Sequence, residues 1–120
     1  MNLNGPCKIL KIYLNETTRH ESHSLYHALV LALREAGLAG VTVTRGIEGY
    51  GRGKRLHSSR ILDLSLDLPI IVEAVDQADR IEAALPLVKA MVREGLILTT
   101  DVTVVAYGGG ASVFSSDGAD

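Results

Sequence analysis

The chain carries one cysteine, no tryptophan, one phenylalanine and only three prolines among its 120 residues. With Cys7 alone, no disulfide can form within the chain, which fits a reducing compartment. No segment approaches the roughly 20 consecutive apolar residues that a membrane helix needs. Met1 to Lys8 holds no apolar run of the secretory kind. A cytoplasmic location without membrane insertion is therefore expected. Neither charge is in marked excess, and a net charge of −2 argues against wholesale binding to nucleic acid or to an anionic membrane. Any basic site must be local. No solenoid-period repeat is present.

What is there suits one domain. Hydrophobic residues make up 47% of the chain and charged residues 22%, ordinary values for a globular protein. A single domain is expected over residues 1–107. The Gly/Ser-rich stretch 108–120 has little to bury and is expected to be a disordered tail.

Two periodicities alternate along the chain. Lys8–Leu14 reads as a strand, with Leu10, Ile12 and Leu14 on one face and Ile9, Lys11 and Tyr13 on the other. Leu25, Leu29, Ala32, Leu33 and Ala36 then form one helical stripe, with Ser22 or Ser24 placed to cap its start and Gly37 its end. Val41–Tyr50 reads as a β-branched strand, with a bulge or close backbone approach at Gly46 and Gly49. Ile61–Leu68 alternates as an extended segment, and Ile70–Val75 reads as a central strand. A second helix is expected from Gln77 to Glu94, with Asp76 as N-cap and Ile81, Ala84, Leu85, Val88, Met91 and Val92 as its apolar stripe. Pro86 should kink or break it. Leu96–Leu98 and Val102–Tyr107 read as two further short strands. The order β-α-β-β-α-β predicts an α+β, ferredoxin-like split βαβ fold, an antiparallel sheet with two helices on one face.

That arrangement leaves the other face to water or to another chain. Ile9, Lys11 and Tyr13, with Thr42, Thr44, Glu73, Thr103, Val105 and Tyr107 as further candidates, are too apolar for a solvated face and too polar for a dry core. Such faces commonly mark interfaces, and an oligomer is expected.

Chemistry concentrates in Gly51-Arg-Gly-Lys-Arg-Leu-His-Ser-Ser-Arg60, which holds four of the twelve Lys and Arg residues. No carboxylate occurs from Gly49 to Leu62. Arginine forks and glycine-freed amides suit phosphate or carboxylate oxygens. The same composition also suits a solvated loop whose charges keep it soluble. Gly46, Gly49, Gly51 and Gly53 do not make a P-loop or dinucleotide fingerprint, because no helix follows them. His20, His23 and His27, with Glu16 and Glu21 nearby, have a spacing compatible with metal ligation, although a polar helix end explains them too. For an enzyme one could gather His57, Ser58, Ser59 and Asp63, or pair Glu48 with Glu73. A triad, however, needs rigid converging geometry, and Cys7 has no base beside it in the sequence. A non-enzymatic protein is expected, needing no cofactor.

Val43-Thr-Arg-Gly-Ile-Glu-Gly-Tyr-Gly51, His57, Leu64-Ser-Leu-Asp-Leu-Pro69 and Val72-Glu-Ala-Val-Asp76 together resemble the PII-like family catalogued as domain of unknown function 190. Arg34-Glu-Ala-Gly-Leu-Ala-Gly40 and Ile81-Glu-Ala-Ala-Leu-Pro86 are similar as well, so the resemblance runs from about Lys8 to Tyr107. It implies a homotrimer whose sheets pack around a central axis. It also implies a signalling role, with an anionic small molecule such as ATP, ADP or AMP held in clefts between subunits and a protein target met through the 51–60 loop. The cleft would be lined by Arg45, Gly46, Glu48, Gly49, Tyr50, Gly51, Arg52, Lys54, Arg55, His57 and Arg60. The turn Thr99-Thr100-Asp101 of a neighbouring subunit would complete it. Two features depart from the pattern: Leu98-Thr-Thr-Asp101 lacks the Gly-rich, Lys-bearing turn of PII proteins, and Ser22-His23-Ser24 stands where a Gly-Lys-Pro-like start to the first helix is expected. The alternatives are a metal-responsive trimer using the three histidines and a small ferredoxin-like enzyme.

Overall fold

The computed structural model describes residue 3, residues 5–58 and residues 67–108. Arg60, the alternating segment as far as residue 66 and the tail from residue 109 lie outside the described residues.

The first strand, β1, spans Cys7–Asn15. Leu10, Ile12 and Leu14 are buried and alternate with half-buried Ile9, Lys11 and Tyr13, as the period of two requires. A small hairpin follows, β2 (Arg19–His20) against β3 (His23–Ser24), with Glu21 in the left-handed region at its tip. Helix α1 spans Leu25–Glu35 and buries Leu25, Leu29 and Leu33. Its end is closed by Gly37 at φ +87°: Leu38 N–H donates to Leu33 O (3.2 Å) and Gly37 N–H to Arg34 O (3.0 Å). This double bond pattern needs a left-handed residue, which glycine adopts without cost from a Cβ. Arg80 adds a 3.1 Å bond from Nη1 to Gly37 O.

Strand β4 covers Gly40–Arg45, and the expected continuation to Tyr50 is interrupted. The chain turns at Gly46 and Ile47 and resumes as β5 (Glu48–Gly49), paired with β6 (His57–Ser58). Strand β7 is Pro69–Gln77, with even-numbered residues Ile70 to Asp76 buried. Helix α2, Ala78–Met91, buries Ile81, Ala84 and Val88. Pro86 does not break it, because it sits on the exposed side, where solvent can take the carbonyl it leaves without a donor. The two short strands read near the end are one, β8, Leu96–Val102; residues 103–108 add no strand.

Four strands form one antiparallel sheet in the order β4-β7-β1-β8, the order of a ferredoxin-like split βαβ fold. The core lies between its helix-side face and the two helices: Leu10, Ile12, Leu14, Ile70, Val72 and Ala74 meet Leu25, Leu29, Leu33, Ile81, Ala84 and Val88. Each fully buried aliphatic side chain contributes on the order of 1.5–3 kcal/mol relative to exposure.

Neither helix is capped by a side chain. Ser24 occupies the N-cap of α1 without a capping bond, and Leu25 N–H donates instead to Thr18 O (2.8 Å). Gln77, not Asp76, is the N-cap of α2, and Ala78 N–H donates to Pro6 O (2.9 Å). Carbonyls flanking β1 take the helical donors, so Asp76 does other work. Fully buried, it accepts from Ala39 N–H (2.8 Å) and Gln77 N–H (2.7 Å), tying the end of α1 to the end of β7.

The register fixes the second face of the sheet. Its rows run Thr44–Ile71–Tyr13–Leu96, then Thr42–Glu73–Lys11–Leu98, then Gly40–Val75–Ile9–Thr100. Lys11 and Glu73 form an ion pair of 3.7 Å near its middle. Ile9, Lys11, Tyr13, Thr42, Thr44 and Glu73 share this face as the sequence indicates; Thr103, Val105 and Tyr107 follow β8 and are not in the sheet. Ile71, Val75, Leu96 and Leu98 make the face more apolar than its anticipated members did.

Candidate functional site

One end of the sheet gathers the end of β1, the end of β4 and the start of β7, with Arg45 opposite Ile70, and Asn15 opposite Pro69. Gly46 N–H donates to Pro69 O (2.7 Å). A Cβ on Gly46 would lie 2.8 Å from Pro69 Cγ, and one on Gly49 3.3 Å from the same atom. The close backbone approach expected at these glycines is thus an approach to Pro69, which bends the chain out of the sheet. The turn after β1 joins this corner: Glu16 N–H donates to Leu68 O (2.9 Å), and Thr17 N–H to Asp67 Oδ1 (3.1 Å). The Arg45 guanidinium donates through Nη2 to Glu16 Oε2.

From this corner the β5–β6 ladder carries the cationic segment outward. Glu48 pairs with Ser58 and Gly49 with His57, and Ser58 Oγ donates to Glu48 Oε1 (3.1 Å). The Glu48 carboxylate is therefore engaged with the ladder beside it. Residues 51–54 make a turn, with Lys54 N–H donating to Gly51 O (2.9 Å) and Lys54 itself at φ +57°. Arg52, Lys54 and Arg55 are exposed and form no ion pair among the described residues. Tyr50, 69% exposed, and Leu56 flank the ladder, so apolar surface adjoins the three cations.

The structure thus brings together Arg45, Gly46, Glu48, Gly49, Tyr50, Gly51, Arg52, Lys54, Arg55 and His57. It does not bring Thr99 and Thr100 to them. Those threonines lie within β8, at the opposite edge of the sheet, three strand spacings or roughly 14 Å from β4. They are strand residues, not a turn, and point to opposite faces, Thr99 paired with Leu10 and Thr100 with Ile9. Arg60 lies outside the described residues. Sequence reasoning missed Glu16 and Pro69 as neighbours of Arg45. No local pattern could supply them, because only the pairing of β1, β4 and β7 makes this corner.

At the other end of β1 the Lys8 ammonium donates to Asp101 Oδ1 (2.7 Å) and lies 3.9 Å from Glu82. The Asp101 hydrogen bond, then the charges of Asp101 and Glu82, raise the Lys8 pKa above its ordinary 10.5 against an opposing desolvation. A folded-state pKa above the unfolded one means the pair stabilises fully below about pH 10.5 and is lost as pH rises through the folded value. Thermal melts across the alkaline range should therefore fall less steeply for Lys8→Met than for the unmodified protein. Identical slopes would remove this account.

The histidines sit at the hairpin beside α1. His20 is paired with His23 across β2–β3, and the His23 and His27 rings are 5.9 Å apart. Among the described residues no three His, Cys, Asp or Glu side chains converge as a metal centre requires. A concavity of about 500 Å³ opens nearby between the hairpin and the end of α2, lined by His20, Leu25, Met91, Arg93 and Glu94 among others. Charges of both signs line it, and none of the loop cations reaches it.

The model of the DUF190 family, described as "Uncharacterized ACR, COG1993", matches residues 7–104. The chain belongs to this family. A UPF0166 protein of Methanocaldococcus jannaschii is 41% identical over 99 residues, covering 81% of this chain and 90% of the relative. Another, of Aquifex aeolicus, is 35% identical over 98 residues, covering 82% and 92%. Among solved structures, the nitrogen regulatory PII-like protein CPII of Thiomonas intermedia K12 superposes with a TM-score of 0.57 at 21% identity, over 83% of this chain and 89% of that one. The divalent ion tolerance protein CutA1 of Ehrlichia chaffeensis gives 0.55 at 14% identity, over 83% and 84%. These likenesses establish the fold of this DUF190 chain as PII-like, a fold shared by a nitrogen regulatory protein and a divalent ion tolerance protein.

Proposed function

We propose that this DUF190 protein is a PII-like regulatory protein, non-enzymatic and homotrimeric. It senses an anionic small molecule, an adenine nucleotide, in clefts between subunits and signals to a protein target through the 51–60 segment. The observation that carries the reading is the division of the site within one chain. The cationic segment stands at the β4 edge, Thr99 and Thr100 stand at the β8 edge, and between them lies a partly exposed face on which Ile9, Tyr13, Ile71 and Val75 surround the Lys11–Glu73 pair. A second copy packed on that face is what could bring one edge to the other. Glycine-loosened backbone and three exposed cations suit phosphate oxygens, and exposed Tyr50 offers a ring for a base to stack on. CPII, the neighbour of like fold, is bound to ADP, AMP and bicarbonate in its structure. That occupancy belongs to CPII and supports the choice of probe here.

Native mass spectrometry of gently purified protein, followed by calorimetry with ATP, ADP and AMP, tests the reading. The expected result is three chains per particle and micromolar binding. A single-chain particle, or a trimer that takes none of the three nucleotides, would reject it.

A further inference from the structure

Of the four described cations at the candidate site, three form no ion pair among the described residues and Arg45 does: its guanidinium donates to the Glu16 carboxylate. The two side chains differ in setting. Arg45 is 57% exposed and Glu16 only 17%. The backbone that carries the carboxylate is anchored, because the amides of Glu16 and Thr17 are bonded to Leu68 and Asp67, just ahead of the Pro69 against which Gly46 packs. Arg45 lies opposite Ile70 at the end of β4, and Glu16 begins the turn that directly follows β1. The pair therefore forms within the corner from which the ladder departs.

We infer that Glu16 is a built-in competitor for the ligand, holding Arg45 when the site is empty and yielding it when an anion arrives. The inference rests on the reading of this site as an anion-binding cleft. A guanidinium presents five N–H donors in one planar fork, and Glu16 already holds the Nη2 corner of it. A phosphate approaching Arg45 must therefore displace Glu16 or share the fork with it. Sharing places two like charges within a few ångströms in a partly desolvated corner, which costs affinity. Displacement breaks the side-chain link between the turn after β1 and Arg45 at the base of the loop. Glu16 thus lowers affinity for the ligand and couples occupancy to the loop base. It is a positioning residue that acts through Arg45.

The sign of the effect tests this. ADP and ATP binding would be measured by calorimetry for the unmodified protein, Glu16→Gln, Arg45→Gln and the double variant, with melting curves to confirm folding and Glu16→Ala as a second probe of the carboxylate. Glu16→Gln and Glu16→Ala should bind about two- to fivefold tighter, the scale of a half-exposed ion pair broken before binding. Arg45→Gln should bind about tenfold more weakly, and adding Glu16→Gln to it should change nothing further. A prop that merely stiffens the corner would make every variant weaker, and that result overturns the inference. So does a tightening by Glu16→Gln that persists without Arg45, which would mark a general charge effect. If the unmodified protein binds nucleotide while Glu16→Gln binds no tighter, this inference alone fails. If no form binds either nucleotide, the parent reading falls and takes this one with it.

Discussion

Ile71→Arg should convert the purified protein to single chains and abolish nucleotide binding, while its helical circular dichroism stays that of the unmodified protein. Ile71 lies on β7, next to the middle of the sheet, facing away from the helices, in a row with Thr44, Tyr13 and Leu96. Its neighbours in sequence, Ile70 and Val72, hold the core and are untouched. In a lone chain the new guanidinium can reach water, so folding costs little. In a trimer built on this face, each copy would bury an unpaired charge, at several kcal/mol per ion. Each 1.4 kcal/mol is a factor of ten, so the dissociation constant for assembly should rise by at least about a hundredfold. Loss of binding follows because the β4 and β8 edges of one chain are too far apart to share a small ligand. Sedimentation and calorimetry read both consequences. An unshifted sedimentation coefficient would place the interface elsewhere; a monomer that still binds ADP would place the ligand within one chain.

The elements legible in the sequence are those whose burial is periodic. Leu25, Leu29 and Leu33 announce α1, and Ile81, Ala84 and Val88 announce α2, because a stripe facing a sheet must repeat every turn. Strand β1 is legible for the same reason at period two. Strand β8 was not. At the edge of the sheet it needs only backbone pairing with β1, so Leu98-Thr-Thr-Asp101 keeps the composition of a turn while lying in register. Of the expected caps, Gly37 closes α1 and Ser24 stands at its N-cap without a capping bond, while Gln77 takes the N-cap of α2 in place of Asp76, because carbonyls of Thr18 and Pro6 already hold the first helical amides. The candidate site divides in the same way. Its glycines and cations are consecutive and visible; Glu16 is 29 residues from Arg45 and enters only through strand pairing.

Replacing Arg52, Lys54 and Arg55 together by alanine should weaken ADP binding by at least tenfold at low salt and leave thermal stability within experimental scatter. All three side chains are exposed and unpaired among the described residues, so their loss breaks no fold contact. Their contribution is to the ligand: a hydrogen bond to a charged group is worth about 1.5–3 kcal/mol net, so one such contact among the three suffices for a tenfold effect. Salt supplies the second measurement. Charges beyond roughly 10 Å are largely screened at 0.1 M ionic strength. The unmodified protein should therefore lose affinity steadily as potassium chloride is raised, and the triple variant should respond weakly. Any pull from Arg45 would remain in that variant, so its residual affinity should be lowered further by Arg45→Gln. A triple variant with undiminished affinity and an unchanged salt slope would show that the segment is a solvated loop, with the ligand, if any, held without it.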